Sequence, residues 1–422
     1  MIRRTLDLSA LTACTPFGRD ITAQVNAFLA GPRSFCSFAM SRCSSQFVVG
    51  AVSYTPGVLP HPIALRAQTY FEHEWLSEDF IAESRRVAAA AEESGSSPKK
   101  HHFVPQMYLK RWALDGKVQR TEVKTRHVHH PQPYAEVARK PNFYTLPRIG
   151  STMDLPLKWV ERHLGRIETA CTRHLDVLGD WTGVISNETV KRDMCVFLGL
   201  QTTRTVSNRN RYLALIQAPS QQKRRVMKRL HPQLTSAQLD EAMQRQHSDP
   251  KEEALHLLFE NVRWPVAHGL YQREWAVYRT ASPIITCDDP VIFVAGPSFG
   301  RERSLGAESA AVLYPVDPFH VLVMLRPGFS HRGPYRLSRS ETESINVEVV
   351  AGADLGTFER PGDAIACAIT VPPRRQQQLD DEAAALLSDA ELDRVYMQEI
   401  SPQSRWEPGS SGPPWPVPRW YR

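Results

Sequence analysis

Apolar residues repeat at helical spacing through the middle of the chain. A first stripe predicts a helix over 157–178, because its apolar positions recur every three or four residues. A second predicted helix covers 186–216, with Ser186 or Asn187 as its cap. Its central stretch, "MCVFLGLQ", is apolar on nearly all sides, so we expect this helix to be buried. Shorter helices are predicted after Pro105, over 235–245 and over 250–261.

The pattern changes after residue 270, where short β-branched and aromatic runs are separated by turns. The runs "EWAVYRT", "PIITC", "VIFVA", "AVLYPV" and "FHVLVML" predict a sheet of four or more strands. A further helix is predicted over 377–389. Because helices come first and strands later, the predicted fold class is α+β, with a helical N-terminal half packed on a mostly antiparallel sheet.

Residues 1–98 lack this order. Apart from one predicted helix over 62–93, which ends in the linker-like stretch "EESGSSPKK", they show no sustained periodicity. The first fifty residues are rich in Ser, Arg and Ala, which also suits a transit peptide, but we favour an extension over a targeting signal. Removing residues 1–95 is then expected to leave stability nearly unchanged. The predicted organisation is a largely disordered, atypical extension (1–98), one α+β domain (99–400) and a disordered Pro-rich tail (401–422).

Composition and charge indicate the candidate partners. The chain has 42% hydrophobic and 23% charged residues, as globular proteins do, and its net charge of +6 is mild. The basic residues are concentrated in two segments. Residues 204–230 include eight basic residues and no acidic residue, and residues 99–126 include eight basic and two acidic residues. Such segments attract phosphates, so 204–230 is predicted to bind nucleic acid. The alternative is a solvated helix face and a flexible loop.

The seven cysteines form no C-x-x-C pair, and Cys171 and Cys195 lie within apolar helical patterns. This is typical of small core residues in a reducing compartment, so a cytoplasmic location is predicted. No run approaches the 18 apolar residues of a membrane span, so no membrane partner is expected. The sequence leaves the oligomeric state open.

Two adjacent histidines, His101 and His102, open the ordered region. The stretch "HHFVP" is similar to the start of histidine-type metal-dependent nuclease motifs, in which one histidine activates water and its neighbour helps to hold a divalent metal. The second strand, asparagine and histidine-bearing helix of that motif do not follow. Neighbouring side chains on a strand point to opposite sides, so one ring would face a site. In the alternative, the two rings cap the helix after Pro105 and pack on the sheet.

Polar residues also border the apolar faces of the two long helices. Glu161 and Glu168 are seven residues apart and project in almost the same direction. Gln201 and Arg204 continue the apolar face of the second helix, and a buried arginine needs a carboxylate or a phosphate. Either Arg204 pairs with Glu161 or Glu168 inside the core, or the cluster lines a pocket that holds a substrate phosphate. The two interpretations differ in whether solvent reaches the cluster.

A further acidic pair, Asp288 and Asp289, follows the run "PIITC" and precedes Pro290. Aspartate before proline favours a turn, although carboxylates at strand ends also serve as metal ligands and general bases. The chain contains no G-x-S-x-G, P-loop, dinucleotide-binding or H-E-x-x-H motif.

Six ordered segments together resemble a known family: "KKHHFVPQMYLKRWA", "PNFYTL", "KWVERHLGRIE", "FLGLQTTRT", "IITCDDPV" and "LYPVDPFHVLVML". From Lys99 to Asn346, and toward Pro361, their order and spacing are similar to those of the bacterial domain of unknown function 4238. Its most specific element is the block H-H-x-V-P-x-x-Y-L. Cys287 and Asp289 depart from the usual serine and asparagine at the strand end. The resemblance implies a bacterial, soluble protein with an atypical first 98 residues, and it carries over no activity. The matched polar positions are His101, His102, Gln106, Tyr108, Glu161, Glu168, Gln201, Arg204 and Asp288.

The leading functional prediction is a metal-dependent phosphodiester hydrolase, a nuclease-like effector. Its alternative is a non-catalytic protein that binds nucleic acid or a ligand, or a partner-binding scaffold, with a purely structural polar cluster. For the hydrolase, the predicted catalytic residues are His101, His102 and Asp288, the residues for a divalent metal are Glu161 and Glu168, and the substrate-binding residues are Gln106, Tyr108, Gln201 and Arg204.

Overall fold

The computed structural model describes residues 71–95, 100–146, 156–217, 235–238, 240, 255, 258, 266–298, 300–301, 309–374, 388, 391, 405–406 and 413–421. These residues form helices and mostly antiparallel sheets, which confirms the α+β class. Within these stretches, no helix is long and apolar enough to cross a lipid bilayer.

The helices are α1 (Glu78–Glu93), α2 (Gln106–Leu109), α3 (Trp159–Asp180), α4 (Glu188–Thr203), α5 (Val206–Gln217), α6 (Ala267–Tyr271) and α7 (Arg339–Gly352). Asn187 caps α4 as predicted, because its side-chain oxygen accepts a hydrogen bond from Val190 N. The single helix predicted over 186–216 is wrong, since it divides into α4 and α5. Thr205 Oγ1 accepts a hydrogen bond from Asn208 N (3.4 Å) and so starts a new helix. The helices predicted over 235–245, 250–261 and 377–389 fall largely outside the described residues.

The strands are β1 (Lys100–His102), β2 (Lys117–Glu122), β3 (Gln132–Pro133), β4 (Arg139–Pro141), β5 (Gly183–Val184), β6 (Glu274–Thr280), β7 (Thr286–Cys287), β8 (Ile292–Val294), β9 (Ala311–Asp317), β10 (His320–Leu325), β11 (Arg336–Leu337) and β12 (Gly356–Glu359). The largest sheet has the order β11-β6-β10-β9-β8, and β5 also pairs with β6. A second sheet has the order β3-β2-β12-β7, and β1 pairs with β4. All pairings are antiparallel except that of β11 with β6.

Both faces of the largest sheet are covered. Leu322 and Met324 of β10 belong to the core that contains α1, α3 and α4. The intervening Val321 and Val323 belong to a second core, which contains α7 and the C-terminal segment. Because successive side chains of a strand point to opposite faces, a strand buried on both faces must be apolar throughout. This explains the continuous run "FHVLVML".

Residues 71–95 are part of the first core, which differs from the expected disordered extension. Helix α1 packs along α3, and Phe71, Trp75 and Leu76 are buried beside it. Arg166 of α3 donates hydrogen bonds to the Phe80 carbonyl (2.9 Å) and to Ser84 Oγ (2.8 Å). The rest of the predicted extension, residues 1–70 and 96–98, lies outside the described residues.

A shared carboxylate fixes the start of this segment. Asp193 of α4 lies 2.9 Å from His73 Nε2 and 2.6 Å from His174 Nε2 of α3. His73 Nδ1 accepts a hydrogen bond from Trp75 N, so its proton is on Nε2 and points at Asp193. Residues 71–77 are thereby tied to both long helices.

Residues 413–421 also differ from expectation, since this part of the predicted disordered tail is packed on the second core. Val417 and Trp420 are buried, and the ring of Trp420 contacts that of Tyr278. The Arg301 guanidinium lies 3.9 Å from the centre of the Trp415 ring. Upstream of this segment, Arg405 is buried and donates to carbonyls at the end of α7, including Ala351 O at 2.8 Å.

Candidate functional site

The two histidines of β1 act as hydrogen-bonded, buried side chains. His101 Nδ1 accepts a hydrogen bond from Tyr144 N (2.9 Å), and the two rings stack with centres 5.8 Å apart. His102 Nε2 lies 3.0 Å from Ala135 O, and its Nδ1 lies 3.3 Å from Gln106 Nε2. A neutral imidazole, with one donor and one acceptor, matches both partners of His102. Burial lowers the pKa of the His102 imidazole and also favours this neutral form.

Arg204, directly after α4, is the centre of the polar cluster. Its Nη1 donates to Glu168 Oε1 (2.5 Å), its Nη2 to the His102 carbonyl (2.5 Å) and its Nε to the Tyr144 hydroxyl (3.1 Å). The residue is only 3% exposed. Burial by itself would lower the pKa of the guanidinium, but Tyr144 and Glu168 raise it above its ordinary value. Of the two interpretations drawn from the sequence, this geometry favours an ion pair inside the core.

Tyr144 completes the cluster. Its hydroxyl donates to the Arg204 carbonyl (3.2 Å) while accepting from Arg204 Nε, and burial raises the pKa of this hydroxyl to about 12. Tyr144 therefore joins the chain after β4 to the end of α4. Sequence reasoning did not single it out, although it lies within the block "PNFYTL" that contributes to the family resemblance.

Glu161, in the first turn of α3, borders this cluster. The pKa of its carboxyl group is raised to about 7, mainly by burial; Arg204 opposes this shift and the nearby Glu168 adds to it. Its Oε2 is buried and has no hydrogen-bond partner. A carboxyl group with this pKa can gain or lose a proton near neutral pH.

Replacing Glu161 by glutamine should stabilise the protein at pH 8 and change little at pH 5. The folded-state pKa is raised, so the folded protein binds the proton more tightly than the unfolded chain, and stability falls as pH rises from about 4.5 to about 7. A neutral glutamine avoids the cost of the buried charge, about 3 kcal/mol at 1.36 kcal/mol per pKa unit. Urea denaturation at both pH values measures the difference.

The control is Glu122→Gln. The half-exposed Glu122 carboxylate has its pKa lowered by hydrogen bonds from Thr125 and His129, so its replacement should give no gain at pH 8. Equal stabilities of wild type and Glu161→Gln at pH 8 would mean that the Glu161 carboxylate is solvated.

The predicted substrate-binding residues are distributed over different surroundings. Gln106 is exposed, whereas Tyr108 is fully buried and its hydroxyl donates to the Pro315 carbonyl (2.8 Å). Gln201 is also buried; its amide donates to the Phe103 carbonyl (3.1 Å), and its Oε1 has no hydrogen-bond partner. Tyr108 and Gln201 thus connect the segment around α2 to the sheet and to α4.

Asp288 directly follows β7 and has a separate set of hydrogen-bond partners. Its carboxylate accepts backbone hydrogen bonds from Asp354 (3.0 Å), Leu355 (2.9 Å) and Gly356 (3.3 Å). Burial raises the pKa of this carboxyl group to about 6, although the N–H donors oppose the shift. The carboxylate therefore fixes the connection between α7 and β12. The neighbouring Asp289 accepts from Ser207 Oγ (2.7 Å).

The structure thus brings Arg204, Glu168, Tyr144 and the His102 carbonyl into direct contact, with Glu161 beside them. Asp288 is engaged by residues 354–356 instead. Among the described residues, no three His, Cys, Asp or Glu side chains are arranged to hold a metal ion. The assignment of a divalent metal to Glu161 and Glu168 and the catalytic roles of His101, His102 and Asp288 stay predictions.

The fold and cluster define an α+β protein whose most specific sequence block forms part of a buried Arg–Glu–Tyr network. The chain belongs to the family described as Protein of unknown function (DUF4238), whose sequence profile matches residues 100–361. This confirms the resemblance, and the matched range includes all the predicted site residues. No curated protein and no solved structure matches the chain.

Proposed function

We propose that the protein binds nucleic acid without cleaving it. The binding surface would be a basic surface formed by five exposed side chains, those of Lys100, Lys110, Lys117, Lys124 and Arg126. Between residues 99 and 126 only Asp115 and Glu122 are acidic, and Glu122 is occupied by Thr125 and His129. An excess of exposed positive charge on one segment favours phosphate backbones. This excess is the observation that carries the proposal.

The second reason is that the polar cluster offers no reactive centre. Each guanidinium nitrogen of Arg204 already donates a hydrogen bond within the cluster, and the residue is buried, so its remaining N–H groups are shielded from a phosphate in the solvent. His102 is matched by Ala135 and Gln106 in its neutral form. A structural role for the cluster is the simpler account of these contacts.

The segment 204–230 is predicted from its charge to bind nucleic acid. Its described part offers fewer exposed cations for this binding than the basic surface does. The Arg209 guanidinium lies 4.5 Å from the centre of the Phe143 ring, and Arg211 donates to Asn208 Oδ1 (2.8 Å). These cations are partly buried and engaged inside the protein. Residues 218–230 lie outside the described residues, so their part in binding stays a prediction.

Neutralising two cations of the basic surface should weaken binding. The test is retention of labelled DNA and RNA by wild type and by Lys117→Gln/Lys124→Gln over a series of salt concentrations. Each lost phosphate contact should reduce the slope of log affinity against log salt by about 1, and affinity at low salt should fall about tenfold.

The matched control is Arg86→Gln/Arg339→Gln. It removes the same charge from exposed positions on α1 and α7, where side-chain exposures are 73% and 84%. Equal losses from both double variants would reduce the effect to net charge and contradict the proposal. Incubation with Mg²⁺ or Mn²⁺ should leave the nucleic acids intact. Cleavage that is lost in His102→Ala would instead support the hydrolase alternative.

A further inference from the structure

We infer that the nucleic acid bound by the basic surface is single-stranded, and that the ring of His127 stacks on one of its unpaired bases. This inference rests on the proposed function and narrows its ligand. Lys124 and Arg126 lie at the turn of a hairpin that β2 forms with residues 123–129, and His127 directly follows them; all three are exposed. Aromatic rings beside exposed cations are what proteins use to hold single strands, because every unpaired base offers a face for stacking.

The hairpin is held in one conformation by its own hydrogen bonds. Glu122 N donates to the His127 carbonyl (2.9 Å). His129 N donates to the Arg120 carbonyl (2.9 Å), so residues 127–129 run antiparallel to the end of β2. Within the turn, Thr125 Oγ1 donates to Glu122 Oε2 (2.9 Å) and accepts from His127 N (3.2 Å). The backbone that carries the His127 ring is thereby fixed.

The His127 ring is supported on one side and open on the other. His127 and His129 are two positions apart on an extended segment, so their side chains lie on the same face. The two rings meet edge to face, with centres 4.7 Å apart. His129 is itself partly buried, and its Nε2 lies 3.0 Å from Glu122 Oε1. Because His127 is exposed, the part of its ring that does not touch His129 is open to a base, and little ordering is needed on binding.

The charge beside this ring is positive. Arg126 donates to the Cys367 carbonyl (2.6 Å), which ties the turn to the loop after β12 but leaves the positive charge in place, because a carbonyl is neutral. Asp115 lies at the opposite end of β2. The acidic residues closer to the hairpin, or on the segments it contacts, each have a hydrogen-bond or ion-pair partner: Glu122 in His129, Glu136 in Arg139, Asp354 in Arg374 and Asp363 in Arg360. The phosphates that flank a stacked base would therefore meet uncompensated cations.

Stacking on His127 distinguishes a single strand from a duplex. In a duplex the faces of the bases are covered by the neighbouring base pairs, so only phosphates and groove edges can reach the hairpin. In a single strand, a base can stack on His127 while its flanking phosphates lie beside Lys124 and Arg126. The ring should therefore add affinity for single strands alone, whereas the cations attract both forms.

The test compares the affinity of the full chain for labelled single-stranded DNA of about 12 nucleotides and for the duplex that this strand forms with its complement. His127→Ala should lower the affinity for the single strand about tenfold, as expected for the loss of one stacked base, and leave the affinity for the duplex unchanged. His127→Phe keeps an aromatic ring and removes the imidazole nitrogens, so it should bind the single strand at least as tightly as wild type. Single-stranded RNA should respond in the same way, because its unpaired bases offer the same faces.

Trp181→Ala is the matched control, since it removes an exposed aromatic side chain (49%) at the end of α3 and should leave both affinities unchanged. The inference is overturned if His127→Ala binds the single strand like wild type, or if it loses as much affinity for the duplex. It is also overturned if His127→Phe is as weak as His127→Ala, because the ring would then not act by stacking. In these cases wild type still retains nucleic acid and the proposed function stands. If wild type retains neither the single strand nor the duplex, the proposed function fails and this inference fails with it.

Discussion

Replacing Arg204 by methionine should lower the free energy of unfolding by about 3–5 kcal/mol. The guanidinium is buried and bridges Glu168, the His102 carbonyl and the Tyr144 hydroxyl. Methionine fills similar volume but leaves a partly buried carboxylate and two polar groups without their donors, and breaking a buried ion pair from one side costs this amount. Denaturation by urea, followed by tryptophan fluorescence, measures the loss.

Two comparisons show whether the loss of stability comes from the buried hydrogen-bond network or only from removing a positive charge. Arg86 pairs with Glu83 at 2.7 Å on the exposed surface of α1, and Arg86→Met should have little measurable effect. The double variant Arg204→Met/Glu168→Leu should be more stable than Arg204→Met, because the stranded carboxylate is removed with its partner. If Arg204→Met cost no more than Arg86→Met, the cluster would have to be open to water.

The meeting of Arg204 and Glu168 could be predicted because both ends of the contact follow from helical spacing. Glu168 lies on the apolar stripe of one helix and Arg204 at the end of the apolar face of the next, so packing these faces brings them together. The partners of Asp288 could not be predicted. They are backbone N–H groups of residues 354–356, whose position depends on where β12 pairs with β2 and β7.

Residues 71–95 and 413–421 pack on the two cores, which the sequence interpretation did not anticipate, and the cause is physical. Trp75 and Trp420 are both buried. Each lies in a polar or Pro-rich stretch that contains only a few isolated apolar residues. Periodicity detects a helix or strand that presents a whole face to the core, but it does not detect a segment that inserts one or two large side chains. The burial of such segments is decided by the surface they meet, here α3 for residues 71–95 and the largest sheet for residues 413–421.

Helix α7 was missed for a different reason. Its start carries a clear signal, since Ser338 and Glu341 form a capping box. The apolar positions that follow are few, and Asn346 and Glu348 are buried among them. Asn346 is buried because it binds the Ile285 backbone N–H (3.0 Å), a partner 61 residues away that no local pattern reveals. The buried Glu348 likewise has a partner that is distant in the sequence, because it forms an ion pair with Arg301.

Removing residues 71–95 should destabilise the protein by about 5 kcal/mol or more, a large part of the stability of a typical domain. The deletion uncovers the side of α3 against which Trp75, Leu76 and Ile81 pack, and full burial of such side chains contributes about 1.5–3 kcal/mol each. It also removes Ser84 from its hydrogen bond with His163 (3.1 Å) and His73 from Asp193. The measurement compares chains that begin at residue 71 and at residue 96, so that residues 1–70 are absent from both.

If the shorter chain does not fold, a single substitution keeps the prediction testable. In the full chain, Trp75→Ala should lower the free energy of unfolding by about 3–5 kcal/mol, because it leaves a cavity between residues 71–77 and the long helices. Trp181→Ala is the control, since it removes the same side chain from the surface and should have a far smaller effect. Equal melting temperatures for the chains that begin at residues 71 and 96, with no loss in Trp75→Ala, would restore the expectation that this segment is a dispensable extension. If the chain that begins at residue 96 and the Trp75→Ala variant both lose stability, the folded unit starts at or before residue 71. This start lies upstream of the family match at residue 100.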